Sequence, residues 1–291
     1  MQSSILEDTF VTLLRLAVTD LPSDVSEGLE RALARETNST AKSQLKAILD
    51  NISLARKNAI PMCQDTGIQI FYLTVGSKFP LLHQLPSIID KAVKRATQEI
   101  PLRPNTVNPI LNKNPGDNTG LHIPWINWRV IEGTDLEITA LPKGGGSENV
   151  CKLGMLTPGQ GLKGMKKFII DSIIDAGAKP CPPTILGIGI GGGADICMKI
   201  AKEQLLRPVG QHHPNAKIAK LEEELLSAIN ETGIGPMGLG GDTTVLDVHI
   251  DVAMRHPASF PVGLAVQCWA ARRATAVISK EGKVTFTSHE V

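Results

Sequence analysis

Apolar residues recur at helical spacing through most of the first hundred residues. Behind Ser3 and Ser4, which are good helix caps, apolar side chains return every three or four residues and predict a first helix. Further helices are predicted from Ser23 onward, over 40–57 and over 85–99. A nearly continuous apolar run over 68–73 predicts a strand between the helices over 40–57 and 85–99.

The pattern changes after residue 100. Residues 101–124 carry Pro, Asn and Gly throughout and predict an irregular segment, which in a compact protein is usually functional or disordered. Strands are predicted over 126–131, 136–141, 244–252, 262–267, 274–279 and 283–287, and helices over 163–176, 194–206 and 215–232. In the last helix, Glu222, Glu223 and Glu224 are predicted to face water.

These elements predict a fold of the α+β (mixed α/β) class. We expect one domain over 1–291, with a mainly helical amino-terminal lobe over 1–100 packed on a mixed-sheet lobe over 101–291. The hydrophobic content of 42% and charged content of 20% are those of a globular protein. No internal repeat interrupts this organisation.

The composition of the chain argues against two classes of binding partner. The formal net charge is +1 and aromatic residues make up 3%, so neither a nucleic acid nor an acidic membrane surface is expected. The amino terminus has no basic and apolar leader pattern, and no apolar run reaches the roughly 18 residues of a membrane span. Five cysteines in no compact framework fit a reducing cytoplasm.

Three cysteines lie far apart in the chain, each beside turn-forming or polar residues: Cys63, Cys181 and Cys268. Three thiolates are one short of the four that usually hold a [4Fe–4S] cluster, so the fourth iron would have no protein ligand. Such an iron is a Lewis acid that can bind a carboxylate and a hydroxyl group, which is hydro-lyase chemistry. Cys197 is expected to be a buried helical residue, and Cys151 ranks below the first three as a ligand.

Two glycine-rich segments are candidates for binding. In the segment 143–149, Lys143 precedes three glycines, whose N–H groups can converge on an anion such as a carboxylate. The segment 187–193 contains a literal G-x-G-x-x-G, but the acidic residue that a dinucleotide site carries about 20 positions later is missing. Close approach of this backbone to a cluster is the favoured use.

Single polar residues complete the candidates. Gln64 and Asp65 directly follow Cys63, and His256 lies twelve residues before Cys268. Arg103 stands between prolines in a rigid turn and suits bidentate recognition of a carboxylate. His249 lies in a strand pattern and is expected to be a hydrogen-bonded core residue.

Five segments of this chain occur together in one family: 63–67, 102–105, 143–149, 180–183 and 255–269. By them the chain resembles the α subunit, or amino-terminal catalytic domain, of class I iron–sulfur fumarate hydratases and L(+)-tartrate dehydratases. The resemblance covers nearly the whole chain and implies an Fe–S hydro-lyase α-type catalytic domain. It also implies a separate β subunit that supplies the second catalytic domain, most simply in an α2β2 heterotetramer.

The resemblance implies a role for each matching residue. Cys63, Cys181 and Cys268 match the ligands of a [4Fe–4S] cluster with one iron not ligated by protein. Gln64, Asp65, Arg103 and Gly146 match positions that line the substrate pocket, and His256 matches a histidine of the catalytic network. We expect Asp65 and His256 to be catalytic, and Gln64, Arg103, Gly146 and the charged Lys143 to bind the substrate.

The expected reaction is reversible hydration of a small dicarboxylate, with fumarate to malate favoured because the 143–149 loop is more like that of fumarate hydratases. Alternatives with the same cluster are tartrate to oxaloacetate, or a methylated fumarate. From another class, the chain could be a nucleotide-binding module that uses the 187–193 segment, or a redox sensor without turnover.

Overall fold

The computed structural model describes residues 2–290, and its chain divides into two compact units. The first unit comprises residues up to Ser23, Asn51–Gly145 and residues from Arg272 onward; the second comprises Asp24–Asp50 and Gly146–Ala271. The lobe boundary expected near residue 100 therefore falls inside the first unit. The single domain over 1–291 stays a prediction, and its end residues, Met1 and Val291, lie outside the described residues.

The helices are α1 Ser3–Thr19, α2 Ser23–Arg35, α3 Ser39–Asn58, α4 Leu85–Glu99, α5 Gly145–Glu148, α6 Gly161–Ala176, α7 Ala194–Gln204 and α8 Ala216–Asn230. The strands are β1 Ile68–Gly76, β2 Trp125–Ile131, β3 Leu136–Lys143, β4 Lys152–Leu156, β5 Thr184–Gly192, β6 Val245–Arg255, β7 Phe260–Gln267, β8 Ala274–Ile278 and β9 Val284–Phe286. Two mixed sheets with helices confirm the α+β class. Within residues 2–290, no helix is both long and apolar enough to cross a lipid bilayer.

The first unit is built on a sheet in the order β2-β1-β3-β8-β9. Strand β1 runs parallel to β2 and antiparallel to β3, which sets the carboxyl end of β3 beside the start of β1. Helices α1 and α4 bury their apolar stripes on one face of this sheet, where the rings of Phe10 and Phe71 meet edge to face at 5.3 Å. The start of β1 and the end of β3 carry most of the candidate residues of this unit.

The second unit is built on a sheet in the order β4-β7-β5-β6. Alternate residues of β5 point to opposite faces, so Leu186, Ile188 and Ile190 join the core that includes α6 and α8. The opposite face of β5 packs against α7. Strands β5 and β7 are antiparallel, so the residues before β5 lie beside those after β7.

The glycines of β5 serve helix packing. A Cβ on Gly187 would stand 2.0 Å from the Ala201 carbonyl oxygen, and one on Gly189 would stand 2.0 Å from that of Cys197. Both carbonyls belong to α7, so this helix can approach the strand only where side chains are missing. The expectation that this segment brings backbone close to a cluster is wrong for Gly187 and Gly189, which lie against α7 in a buried strand.

Glu222, on α8, is buried, so the prediction that it faces water is wrong. It is 2% exposed, and its carboxylate accepts hydrogen bonds from Arg207 Nη1 (2.7 Å), the Ile250 N–H (2.7 Å) and the His213 N–H (3.0 Å). A buried carboxylate is retained only when paired in this way. Glu223 and Glu224 are exposed, as predicted.

Candidate active-site residues

The segment that carries Cys63 links α3 to β1 in the first unit. Its backbone is fixed on both sides, because Met62 N–H donates to the Val18 carbonyl (3.0 Å) and Asn51 Nδ2 donates to the Met62 carbonyl (2.8 Å). The Cys63 thiol is partly exposed and lies 3.5 Å from Gln64 Oε1. The backbone is thus held while the side chains of Cys63 and Gln64 stay accessible.

Asp65 joins three segments of the first unit. Its Oδ1 accepts hydrogen bonds from the Gly67 N–H (3.0 Å) and from Asn105 Nδ2 (3.2 Å), and its Oδ2 accepts one from the Gly145 N–H (2.8 Å). One carboxylate therefore ties the residues after Cys63 to the irregular segment and to the glycine loop. Charge-assisted bonds of this kind are the stronger class of hydrogen bond.

Gly67 lets this segment lie against the end of β3. It has a left-handed φ of +81°, and a Cβ there would stand 2.6 Å from the Pro142 carbonyl carbon. Only glycine meets both conditions without strain. As a result Lys143, the last residue of β3, pairs with Ile68, the first of β1, and its side chain is 3% exposed.

Arg103 is presented on a fixed backbone. Its carbonyl oxygen accepts hydrogen bonds from Thr66 Oγ1 (3.3 Å) and from Asn118 Nδ2 (3.1 Å), and Asn118 is fully buried. The side chain of Arg103 is exposed. The first unit thus brings Gln64, Asp65, Arg103 and Lys143 onto segments that contact one another near the start of β1.

Arg272 is a residue that the sequence analysis missed. It is 2% exposed and is the largest fully buried side chain of the described residues. Its Nη1 donates to the Asp65 carbonyl oxygen, and its Nη2 lies beside Gly144. Its position four residues after Cys268 was the one available signal, since burial of an arginine cannot be read from the sequence alone.

Cys181 and Cys268 lie together in the second unit. The Trp269 N–H donates to the Cys181 carbonyl at 3.2 Å, because Cys181 precedes β5 and Cys268 follows the antiparallel β7. Cys181 has a left-handed φ of 55°, which a non-glycine residue adopts only when its surroundings hold it. Both thiols are partly exposed at this end of the sheet.

A glycine-rich loop over 233–241 holds the Cys181 segment from the other side. The Met237 N–H donates to the Pro182 carbonyl at 2.8 Å. The loop is fixed in turn by Glu36, which is 2% exposed and accepts a hydrogen bond from the Asp242 N–H (2.8 Å). The bond between Glu36 and Asp242 was not predicted, because it joins residues 206 positions apart in the sequence.

Gly146 lies in the short helix α5, at the start of the longer segment of the second unit. It lines a cavity of about 430 Å³ together with Asn149, Lys152, Asp175 and Lys179. Lys152 and Asp175 form an ion pair at 2.9 Å across this cavity. The segment expected to be a glycine loop is therefore partly helical, and Gly146 lies next to a polar cavity.

His256 lies apart from this pair of cysteines. It sits in the exposed turn between β6 and β7, where its Nδ1 accepts a hydrogen bond from the Ala258 N–H at 3.1 Å. Cys268 follows the other end of β7, whose eight residues span about 23 Å at the usual rise of a strand. Within one chain, His256 and the Cys181–Cys268 pair are thus at opposite ends of the second unit's sheet.

His249 is a hydrogen-bonded core residue, as predicted. Its Nε2 lies 3.0 Å from Asp247 Oδ2 and its Nδ1 lies 3.1 Å from the Gln204 carbonyl oxygen. Burial by itself raises the pKa of Asp247, but the hydrogen bond and charge of His249 and the N–H groups of Gly210 and Val248 lower that pKa below its ordinary value. These groups are buried and hydrogen-bonded to one another, so we assign the network to stability.

None of the five cysteines forms a disulfide bond. Cys197 is fully buried in α7, and burial raises the pKa of its thiol, as expected for a structural residue. Among residues 2–290, no group of three or more His, Cys, Asp or Glu side chains is arranged to hold a metal ion. The donor chemistry of partly exposed thiols on held loops nevertheless fits an iron–sulfur cluster, which is bound by thiolates.

Comparison with known proteins decides the family. The model of the family described as fumarate hydratase (Fumerase) matches residues 7–277. The chain belongs to the fumarate hydratase family. It is therefore a hydro-lyase, as the residue pattern predicted.

Three named proteins are similar to this chain along most of their own length. A Methanocaldococcus jannaschii protein named "Putative L(+)-tartrate dehydratase subunit alpha" is 47% identical over 96% of this chain and 99% of its own. The "L(+)-tartrate dehydratase subunit alpha" of Escherichia coli O157:H7 is 38% identical over 93% of this chain and 90% of its own. That of Escherichia coli strain UTI89 is 39% identical over 88% and 85%.

Proposed function

We propose that this chain is the α subunit of an iron–sulfur hydro-lyase that reversibly hydrates a small dicarboxylate, with fumarate to malate as the favoured reaction. The observation that carries the proposal is the match of the fumarate hydratase model to residues 7–277. Arrangement of the candidate residues supports it, since cationic and amide groups gather around Asp65.

In this proposal Cys63, Cys181 and Cys268 hold a [4Fe–4S] cluster and leave one iron without a protein ligand. When bound, the cluster supplies a Lewis acid for a carboxylate and hydroxyl of the substrate. The fixed backbones of the three cysteines support the assignment, because a ligand held in place loses little entropy on binding.

The substrate carboxylates are assigned to Gln64, Arg103, Lys143 and Gly146. Arg103 suits this task because its guanidinium is exposed on a backbone that Asn118 holds. Lys143 adds a charge that is shielded from water, where electrostatic attraction to an anion is stronger.

Removal of a proton next to a carboxylate is difficult, because the pKa of such a proton is high. In our proposal Asp65, which its three hydrogen bonds hold in place, and His256 orient or relay protons. The base comes from a β subunit, in an α2β2 heterotetramer. The words "subunit alpha" in the names of the relatives support a partner of this kind.

The position of His256 adds a requirement. Strand β7, about 23 Å long, separates His256 from Cys268 of the same chain. His256 therefore cannot act beside the Cys181–Cys268 pair of its own chain. We therefore propose that His256 serves the site of a second copy of the chain. We also assign the enzyme to the cytoplasm in this proposal, because five cysteines without a disulfide bond suit a reducing compartment.

L(+)-tartrate dehydration to oxaloacetate is the second candidate. The names of two relatives described above favour it, at identities of 47% and 38%. Both reactions remove or add water next to a carboxylate, so the same residues would serve them.

Initial rates separate these substrates. The chain would be purified without oxygen together with its β subunit, and assayed on fumarate, malate, L(+)-tartrate and a methylated fumarate. We expect turnover of fumarate and malate to exceed that of the others at equal concentration. Faster turnover of tartrate would replace the favoured substrate, and no turnover of any diacid would contradict the function.

Cysteine substitutions test the cluster ligands separately from the substrate. We expect Cys63→Ser, Cys181→Ser and Cys268→Ser each to lose most bound iron and sulfide and the visible absorption of the cluster. Cys197→Ala is the matched control, because that thiol is fully buried in a helix, and it should keep them. Wild-type iron content in any of the three serine variants would remove that cysteine from the ligand set.

A further inference from the structure

The turn that carries His256 has a fixed backbone although it is exposed to water. Arg255 Nη1 lies within hydrogen-bond distance of three carbonyl oxygens of this turn, those of His256 (3.1 Å), Pro257 (3.0 Å) and Ser259 (3.2 Å). The same guanidinium lies 5.4 Å from the centre of the Phe260 ring. An exposed turn is usually mobile, so a charged group that gathers its carbonyls keeps this one in a single conformation.

His256 presents one nitrogen of its ring away from the chain. Its Nδ1 accepts a hydrogen bond from the Ala258 N–H at 3.1 Å, and no residue within 2–290 forms a hydrogen bond with its Nε2. When Nδ1 of a neutral imidazole accepts, Nε2 carries the proton and is a donor. The turn therefore holds a proton donor in a fixed position where its own chain makes no use of it.

Exposed apolar side chains surround this turn. The carboxyl ends of β4, β5 and β6 lie beside the start of β7 here, at what we call the His256 end of the second unit. Its exposed large apolar side chains are Met155 on β4, Leu162 at the start of α6, Ile196 at the start of α7, and Val252 and Met254 on β6. Met254 is 98% exposed. Apolar side chains grouped in this way mark an interaction surface.

The size of this surface suits a protein partner. The five apolar side chains and the turn together expose on the order of 800 Å², which is what one partner buries in a standard protein–protein interface. A small molecule would cover only a fraction of it.

The position of the cysteines decides which partner fits. In the proposed function His256 acts at a cluster site, so the partner that docks here has to bring such a site with it. All three cysteines assigned to the cluster, Cys63, Cys181 and Cys268, belong to this chain. Strand β7 separates His256 from Cys268 of the same chain, so the site that reaches His256 comes from another copy.

We propose that the His256 end of the second unit docks on a second copy of this chain and delivers His256 to the cluster site of that copy. This inference rests on the proposed function, and it adds the surface through which the two copies meet. Around a two-fold axis, each copy inserts its own turn and receives that of its partner. The apolar side chains provide affinity, and the turn loses little entropy on docking because Arg255 already orders it.

Aspartate substitutions test this docking in the purified complex of both subunits. Leu162→Asp and Met254→Asp each place a charge in the proposed contact. Leu54→Asp is the matched control, because Leu54 is a leucine of α3 in the first unit with an exposure of 58%, against 54% for Leu162. Native mass spectrometry and sedimentation velocity measure how many copies of this chain each particle holds. We expect two copies in the wild type and the control, and a rise of at least about tenfold in the dissociation constant between copies in both variants.

Turnover as a function of concentration separates docking from folding. We expect both variants to keep the unfolding temperature and iron content of the wild type. They should lose turnover where the copies separate and recover it at higher protein concentration, because association depends on mass action. If one variant does not fold, the other decides, since both side chains are more than half exposed.

Three results would overturn the inference. They are a wild-type complex with a single copy of this chain, variants whose copies stay together as tightly as in the wild type, and variants that release the β subunit while the two copies remain joined. A wild-type complex that hydrates diacids but gives one of these results contradicts only the docking. A wild-type complex that turns over no diacid contradicts the proposed function itself.

Discussion

At the scale of single residues, Asp65 shows why the residues around Cys63 are polar. Its side chain is partly buried, and each carboxylate oxygen accepts one N–H bond from another segment, Oδ1 from Asn105 and Oδ2 from Gly145. The cost of removing this group from water is offset by those bonds. Asp65 therefore organises the loop junction in addition to any part in proton transfer.

Replacing Asp65 by Asn tests this organising role. An amide keeps one acceptor oxygen but turns an N–H donor toward either Gly67 or Gly145, whose own N–H groups then lose their acceptor. We expect the free energy of unfolding to fall by about 2 kcal/mol, measured by denaturant titration. Glu137→Gln, an exposed residue of β3, is the control, and equal losses in both variants would contradict the role.

The candidate residues differ in how far the sequence could predict them. Gln64 and Asp65 directly follow a cysteine in a polar run, which is visible in the chain itself. Arg272 and Glu36 could not be found in this way, because their importance comes from burial and from partners distant in sequence. The left-handed backbone of Cys181 was also invisible, since nothing local requires it.

At the scale of elements, periodicity predicted the helices and most strands, because their apolar residues repeat with the period of the buried face. It did not predict β5, where glycines alternate with apolar residues and the segment was interpreted as backbone that approaches a cluster. The glycines face α7, and the residues between them face the core around α6 and α8. Because α7 packs closely on this strand, glycines stand at the positions that face the helix. The resulting alternation of glycine and apolar residues resembles a nucleotide-binding motif.

Gly189→Ala tests this packing. The added methyl group would stand 2.0 Å from the Cys197 carbonyl oxygen, so α7 must move away from the strand. We expect a loss of about 3 kcal/mol in the free energy of unfolding. Gly159→Ala is the matched control, because no atom lies within 4 Å of its added Cβ, and a similar loss in both variants would contradict the explanation.

At the scale of the whole molecule, a strand separates His256 from the two cysteines of its own unit. If His256 serves the site of a second copy, two inactive variants can complement each other. We expect co-expressed Cys181→Ser and His256→Asn chains to recover turnover, because some sites then combine intact residues from both copies.

A mixture of Cys181→Ser and Cys268→Ser is the control for this experiment. Both changes lie at the same end of the sheet, so no site in the mixture is complete and turnover should stay absent. A Cys181→Ser and His256→Asn mixture as inactive as its parents would contradict action across copies. Full activity of His256→Asn alone would remove that residue from the mechanism.

Mössbauer spectroscopy of the oxygen-free complex, loaded with ⁵⁷Fe, tests the central proposal of a cluster held by three thiolates with one open iron. We expect a [4Fe–4S] spectrum in which a single iron site changes when malate or fumarate is added, while the other three stay as they were. A spectrum without a cluster, or a cluster whose four sites all ignore the diacid, would contradict the account.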